Sequence, residues 1–492
     1  MTQVYEALRS EPDQLIALLA SRDREIVKLQ NHIANANKKL FGAKTEKLTS
    51  DQIKFSFDAP AVPEQQSLEK EVVVEKHTRT VQRGRKPLPG DLPREQVVYL
   101  PEETTCPCCR AELVSIGEER SEELEKVPAQ LKVIEHIRVK KACPSCKGAG
   151  VLVAPLPASV FPLERSRPGP GLLADIIVSK FVDHLPLHRQ EEMYLRKGIE
   201  LRRQRMCDWV AAAAELLIPL YQELKLQIFT LPYIHADETT LKVQDGAEEG
   251  KCHTGYLWGL LGPPNLVWFH YAPSRAGEVP ARILDDYQGA LHTDAYAGYN
   301  QVLIPDKCVR LACLAHVRRK FLDIQKIAGK DSAHVLTLIA KVYRLESSLK
   351  TPEQRFAVRQ TKTRELFDAL FSYLKAWGQR TLPKSPVMSA IQYALNQEQE
   401  VYRILQNGSF DLDNNAIERQ IRPVALGRKN YLFAGSHEGA HHAALFYSLL
   451  NTCKLNKVEP WEWLKDVLVR VSSDRSASAL DLLPHTWRKA AL

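Results

Sequence analysis

From Leu226 onward the chain is built of short apolar runs in a set order. LQIFTLPYIHADETTLKV, TGYLWGLLG and LVWFHYAP are rich in β-branched and aromatic residues. Turn formers separate them: Gly246 and Gly250 after the first, Gly262-Pro263-Pro264 after the second. Such runs between such breaks read as consecutive strands. Gly277 to Tyr287 reads as a helix, ALHTDAYAGY as a fourth strand and VRLACLA as a fifth, leading into a helix over HVRRKFLDIQKIAG.

Three meandering strands followed by helix, strand and helix is the order of the ribonuclease-H-like fold, a mixed sheet with helices. In that fold strands 1 and 4 are neighbours. Asp237 ends or interrupts the first strand, in His235-Ala236-Asp237-Glu238-Thr239, and Asp294 ends the fourth, in HTDAYAGY. An acid beside an apolar strand is costly unless it is solvated, paired or bound to a cation. Either Asp alone is most simply a solvated strand-end carboxylate, but their placement on neighbouring strands brings both to one site. A third acid comes from DNNAIERQIRP, where Asp413, Asn414 or Asn415 caps a helix and Glu418 lies on its first turns. Arg419, Arg422, Arg428 and Lys429 suit a phosphate backbone. Three carboxylates among basic residues fit phosphoryl transfer assisted by two Mg²⁺ or Mn²⁺ ions, which take oxygen ligands. His235 and His292, each two residues before an Asp, read as strand-packing residues. Cys313 and His316 read as a structural pair bridging strand and helix.

The chain has ten cysteines. In a reducing compartment their paired spacings suggest metal rather than disulfides. Cys106-Pro107-Cys108-Cys109 and Cys143-Pro144-Ser145-Cys146 supply two C-x-x-C pairs, the ligand set of a tetrahedral four-cysteine zinc site. Cys106, Cys109, Cys143 and Cys146 are the expected ligands, with Cys108 able to replace a neighbour. Gln130 to Lys140 alternates like a strand between them, as in a zinc ribbon. Four thiolates leave no open position, so this zinc is structural.

Leu19, Ile26, Ile33 and Leu40 repeat every seven residues, with Leu15, Leu29 and Ala36 interleaved. This predicts a coiled coil over 1–48 that joins copies of the chain; a single amphipathic helix is the plainer alternative. A linker over 49–100 contains Arg83-Gly84-Arg85-Lys86-Pro87. Arg83, Arg85 and Lys86 can lie in an A·T minor groove or simply tether the domains. Residues 101–155 form the expected zinc domain. Over 160–226 a helix, a Gly198 turn and a helix opening with Arg202, Arg203 and Arg205 make a helix-turn-helix pattern; a helical hairpin with surface arginines has the same pattern. The catalytic core is expected over 227–330 and 405–456, interrupted by a helical insertion over 331–404 and followed by a helical tail over 457–492. Lys plus Arg exceed Asp plus Glu by 67 to 59, a net +8 that permits nucleic-acid binding only if the charge is clustered. No apolar run approaches the roughly 20 residues of a membrane span, and MTQVYEALRSEPDQ has no apolar stretch of a secretory signal. A cytoplasmic protein is therefore expected.

These pieces together resemble a DDE transposase of the insertion sequence 66 family. The likeness is carried by FGAKTEKL, RKPLPGDLPRE, the two Cys pairs, DHLPLHRQE, YIHADETTLKV, HTDAYAGY, CLAHVRRKF, DNNAIERQIRPVALGRKNYLFAGS and LNKVEPWEWLKDVL. The resemblance implies Asp237, Asp294 and Glu418 as the acidic triad. It also implies an N-terminal zipper, a zinc-binding domain, a DNA-binding segment and two small accessory proteins of the same element. The expected activity is binding of double-stranded DNA at terminal inverted repeats, hydrolysis that frees a 3′-hydroxyl, and attack of that hydroxyl on target DNA. Gln420 stands where the family usually has a small residue, and Arg-Arg-Gln-Arg opens the recognition-like helix, so end specificity does not carry over. Two other functions use the same parts: a non-catalytic regulator of element ends, and a nuclease that cuts without strand transfer.

Overall fold

The computed structural model describes residues 131–142, 151–153, 168–244, 251–303, 307–474 and 476–489. The heptad repeat, Arg83, Arg85, Lys86 and the four candidate zinc cysteines lie outside them. The chain divides into two units, Val62–Leu156 and the remainder. In the smaller unit β1 (Lys140–Ala142) pairs antiparallel with β2 (Val151–Val153). The strand expected from Gln130 begins only at Lys140. Residues 131–139 carry no regular structure, and Val133 is 97% exposed. Alternation becomes a strand where a partner pairs with it, and here pairing starts at Lys140 opposite Val153.

In the larger unit α1 (Pro170–Phe181) starts with proline in its first turn, where no N–H is missed. α2 (Leu187–Leu195) follows, and the chain turns through Gly198 at φ +77°, a left-handed conformation that favours glycine. α3 (Arg203–Phe229) then runs for 27 residues. It continues past Pro219 because Met206, Val210, Ala213, Leu217, Leu220, Leu224 and Ile228 form one buried stripe. LQIF is therefore the end of this helix rather than the start of a strand. Arg202, Arg203 and Arg205 at its beginning are exposed.

The sheet has five strands: β3 (Tyr233–Val243), β4 (His253–Gly262), β5 (Leu266–Ala272), β6 (Gly289–Thr293) and β7 (Cys308–Ala312). Their spatial order is β5-β4-β3-β6-β7. The first three form an antiparallel meander, and β6 and β7 run parallel to β3. Short α4 (Glu278–Ile283) makes the crossover from β5 to β6. Ile234 and Ala236 of β3 join a core with α1, α3 and the C-terminal helices, whereas Tyr233 joins a second core. The period of two thus gives the sheet two buried faces.

Beyond β7 come α5 (Leu314–Asp323), α6 (Gln325–Ser347), α7 (Pro352–Val358), a π turn (Arg359–Thr363), α8 (Arg364–Gln379), α9 (Pro386–Leu395) and α10 (Glu398–Arg403). They make the second core around Val335, Ile339, Phe367, Phe371 and Ile391. Then α11 (Asn415–Tyr431) lies against β3 and β4, and α12 (His437–Leu455) against β5. α13 (Pro460–Ser473) and α14 (Ala479–Leu482) close the first core. Among the described residues no helix is long and apolar enough to cross a membrane.

Gly259 of β4 allows α11 to dock. A Cβ there would lie 2.9 Å from the Phe269 ring and 3.1 Å from Ile417 Cδ1. Gly259→Val should cost about 1–3 kcal/mol by overpacking. Urea unfolding reads the loss, and an unchanged midpoint would show that the helix does not need this close approach.

Candidate active site

Of the two expected placements, end or interruption of the strand, β3 takes the second: Asp237 lies inside it, opposite Gly259 of β4. Asp294 is the first residue after β6, as expected, and its Oδ1 accepts the Tyr296 backbone N–H at 2.9 Å. The parallel pairing of β3 with β6 sets His235 beside His292, so both strands carry their acids two residues further along the same direction. The chain after Asp294 turns into a 3-10 segment (Ala297–Gln301) instead of continuing as strand. Glu418 sits in the first turn of α11 with its side chain 11% exposed.

The acids sense one another. Burial pushes the Asp237 carboxyl well above the usual range, and the charges of Glu238, Glu418 and Asp294 add to it. Burial also raises Glu418 to about 7; Arg319 opposes the shift, and Asp413 and Asp294 reinforce it. The Arg319 guanidinium is 4.0 Å from Glu418 Oε2. Glu418 Oε1 is buried with no hydrogen-bond partner. Carboxyls raised by burial and by neighbouring acidic charge form a donor set for hard cations. The three do not make a tight ligand cage by themselves. Among the described residues, two groups of three have all their ligand atoms within 4.8 Å of one another: Cys313, His316 and Glu418, and Glu215, Glu438 and His442.

A raised carboxyl pKa is also a stability statement. Folded Glu418 holds its proton up to about 7, while an ordinary glutamate releases it near 4.5. Its stabilising contribution is full below 4.5 and is lost as pH rises through about 7. Without divalent cations, Glu418→Gln should therefore stabilise the fold at pH 8 by up to about 3 kcal/mol, with little gain at pH 4. Thermal melts in chelator at both pH values measure this. Parallel pH profiles for the two proteins would contradict it.

Three supports of the site were not apparent in the sequence. Glu238 follows Asp237 with only 4% of its side chain exposed. Arg275 Nε donates to its Oε1 at 2.7 Å and Tyr299 Oη to its Oε2 at 3.1 Å. The Asp-Glu pair and the Ala-Gly-Tyr segment were the available signals. Arg310 of β7 donates from Nη2 to the Asp294 carbonyl at 2.6 Å and to Gln397 Oε1 at 3.1 Å. An arginine inside the apolar run VRLACLA was its signal.

The third support is a polar hub. His235 and His292 stack with ring centres 5.0 Å apart. His235 Nε2 meets Asp411 Oδ2 at 3.1 Å and its Nδ1 meets Asn414 Oδ1 at 2.9 Å. His292 Nε2 reaches the Asp411 carbonyl at 3.0 Å. Asn414 Nδ2 donates to the Ala236 carbonyl. The histidines are thus packing residues, and they also tie both acid-bearing strands to the segment leading into α11. Burial, with His235 nearby, holds the His292 imidazole down to about 3. Burial works against ionised Asp411, but the His235 hydrogen bond and the two rings hold its carboxyl below the usual range. Asn414 stands at the N-cap of α11, yet its side chain serves this hub and does not cap the helix. Asp413 accepts the Asn415 N–H instead.

The basic residues of α11 differ in use. Arg419, Arg422 and Lys429 are exposed. Arg428 Nη1 hydrogen-bonds Thr239 Oγ1, Thr240 Oγ1 and the Thr240 carbonyl, fastening α11 to β3.

A mixed sheet with a buried acidic cluster, faced by a helix with exposed arginines, is the setting in which the comparisons fall. Residues 165–442 match the family described as Transposase IS66 family. The chain belongs to that family and is a transposase. Residues 103–147 match the zinc-finger binding domain of transposase IS66, which supports a structural zinc. Residues 28–97 match Transposase C of IS166 homeodomain, and 448–485 the IS66 C-terminal element. Among similar proteins of Sinorhizobium fredii (strain NBRC 101917 / NGR234), the uncharacterized protein y4hP is 36% identical, over 83% of this chain and 77% of its own length. The uncharacterized protein y4qI is 32% identical, over 99% and 94%. No solved structure matches.

Proposed function

We propose that this transposase acts on double-stranded DNA by the DDE reaction, with Asp237, Asp294 and Glu418 as its acids in a ribonuclease-H-like core. The observation that carries the reading is the convergence of three acids from β3, the end of β6 and α11, two of them raised by burial and by neighbouring acidic charge. The strand order, an antiparallel meander flanked by two parallel strands, supports the fold assignment. The donor set is all oxygen and carries an unpartnered buried carboxylate oxygen, which fits Mg²⁺ or Mn²⁺. When bound, two such ions would activate water or a 3′-hydroxyl and stabilise the leaving oxygen.

The chain's own residues supply position and charge. Arg310 and the Glu238–Arg275 pair hold the backbone and neighbours of the two strand acids. The hub of His235, His292, Asp411 and Asn414 keeps α11 in register with the strands. Arg419, Arg422 and Lys429, exposed on α11, would hold phosphates beside Glu418, and Arg202, Arg203 and Arg205 would contact DNA at the start of α3. The zinc domain over 101–155, the helix-turn-helix over 160–226 and the basic run would read the ends. The segment over 1–48 would join copies as a coiled coil, and two small accessory proteins would complete the machinery. The test is purified protein with a labelled element end, a target plasmid and Mg²⁺. Joining of the end to the plasmid is expected. Cleavage without joining would indicate a nuclease, and binding without cleavage a regulator.

A further inference from the structure

Cys313 directly precedes α5, His316 lies in its first turn, and Glu418 lies in the first turn of α11. A sulfur, an imidazole nitrogen and a carboxylate oxygen from these three lie within 4.8 Å of one another. His316 Nδ1 and Glu418 Oε1 are 3.9 Å apart, too far for a hydrogen bond. Both atoms are buried and neither has a hydrogen-bond partner. Leaving two buried polar atoms unpaired is costly unless something sits between them. Tetrahedral zinc with bonds of about 2.0–2.1 Å to nitrogen and oxygen holds such atoms about 3.3 Å apart, a closure of a few tenths of an ångström from here. Cys313 Sγ accepts the Asn414 backbone N–H at 3.2 Å, an interaction that favours a thiolate. Burial, with the charges of Asp413 and Glu418, pushes that thiol up, so a neighbouring cation is what would let it ionise.

We propose that Cys313, His316 and Glu418 bind a thiophilic divalent cation of the zinc class, at a site separate from the four-cysteine domain. Thiolate and imidazole select zinc over magnesium. Binding displaces the Cys313 proton to solvent, and three protein ligands leave a fourth position open. One consequence rests on the reading proposed above: Glu418 is shared with the magnesium-class site, so zinc loading opposes magnesium-dependent chemistry.

The test uses the full chain dialysed against buffered zinc, with metal content read by mass spectrometry. Wild type should hold one zinc per chain more than His316→Ala. Cobalt-loaded wild type should show thiolate-to-cobalt absorbance beyond that of Cys313→Ser. Equal metal content and equal spectra in wild type and His316→Ala would overturn the site and leave a bridging water as the occupant. Should Cys313→Ser fail to fold, His316→Ala, whose side chain is 22% exposed, carries the test alone. The zinc count is independent of the triad. Full DNA cleavage by Asp294→Ala would refute the acid assignment and leave the zinc difference standing.

Discussion

Asp237→Ala, Asp294→Ala and Glu418→Ala are each expected to lower DNA cleavage and strand transfer by at least about 10³-fold, while end binding stays within a few-fold of wild type. Asp237 and Asp294 are carried by adjacent strands and Glu418 by the first turn of α11, with its side chain 11% exposed, whereas the arginines proposed to hold DNA are exposed side chains. Removing a carboxylate therefore removes chemistry and spares affinity. Kinetics with a labelled end and gel-shift titration of the same variants separate the two. Substantial cleavage by any one variant would exclude that residue, and equal loss of binding and cleavage would make its role structural. Asp237→Ala should also relieve the strain of burying a carboxylate that burial and its neighbours oppose, so its melting temperature should not fall.

Arg359→Ala is expected to destabilise the protein by about 3–5 kcal/mol. Arg359 is 1% exposed in the π turn, and Glu346 of α6 pairs with it at 2.7 and 2.9 Å through two nitrogens. The same guanidinium donates to the carbonyls of Ile404, Asn407 and Phe410. Truncation leaves a buried carboxylate and three carbonyls without their donor. The effect reaches the site, because residues 404–410 lead directly into Asp411, Asn414 and α11. Denaturant unfolding gives the loss, and Arg359→Lys should recover only part of it, since an ammonium cannot reproduce the fork. A loss under 1 kcal/mol would mean that the pair is dispensable to the insertion.

Much of this architecture is legible in local patterns. β4 and β5 are bounded by Gly262, Pro263 and Pro264, and the period-two runs between such breaks have one reading. Asp237 and Asp294 stand out because each lies in or directly after an apolar strand, and Glu418 because it follows the capping residues Asp413, Asn414 and Asn415. The misplacements have local causes too. The run from Leu226 reads as the start of a strand, but a buried stripe of seven residues carries α3 past Pro219, and LQIF stays helical. Asp237 could end or interrupt its strand on sequence alone; Gly259 opposite and α11 against the sheet give it a place within β3. Residues 131–139 alternate but have no partner strand among the described residues. What sequence does not show are contacts between distant segments. His235 meets Asp411 across 176 positions, and Arg310 meets Gln397 across 87. Arg428, which looked like a phosphate ligand, is held by Thr239 and Thr240 of β3.

The most direct test of the central claim is a cellular transposition assay. A marked element with its own ends and neighbouring genes is supplied with either wild-type protein or Asp294→Ala. The marker is expected to move with wild type and not with the variant. Equal movement with both would show that the chemistry does not pass through Asp294, and the acidic triad would have to be abandoned.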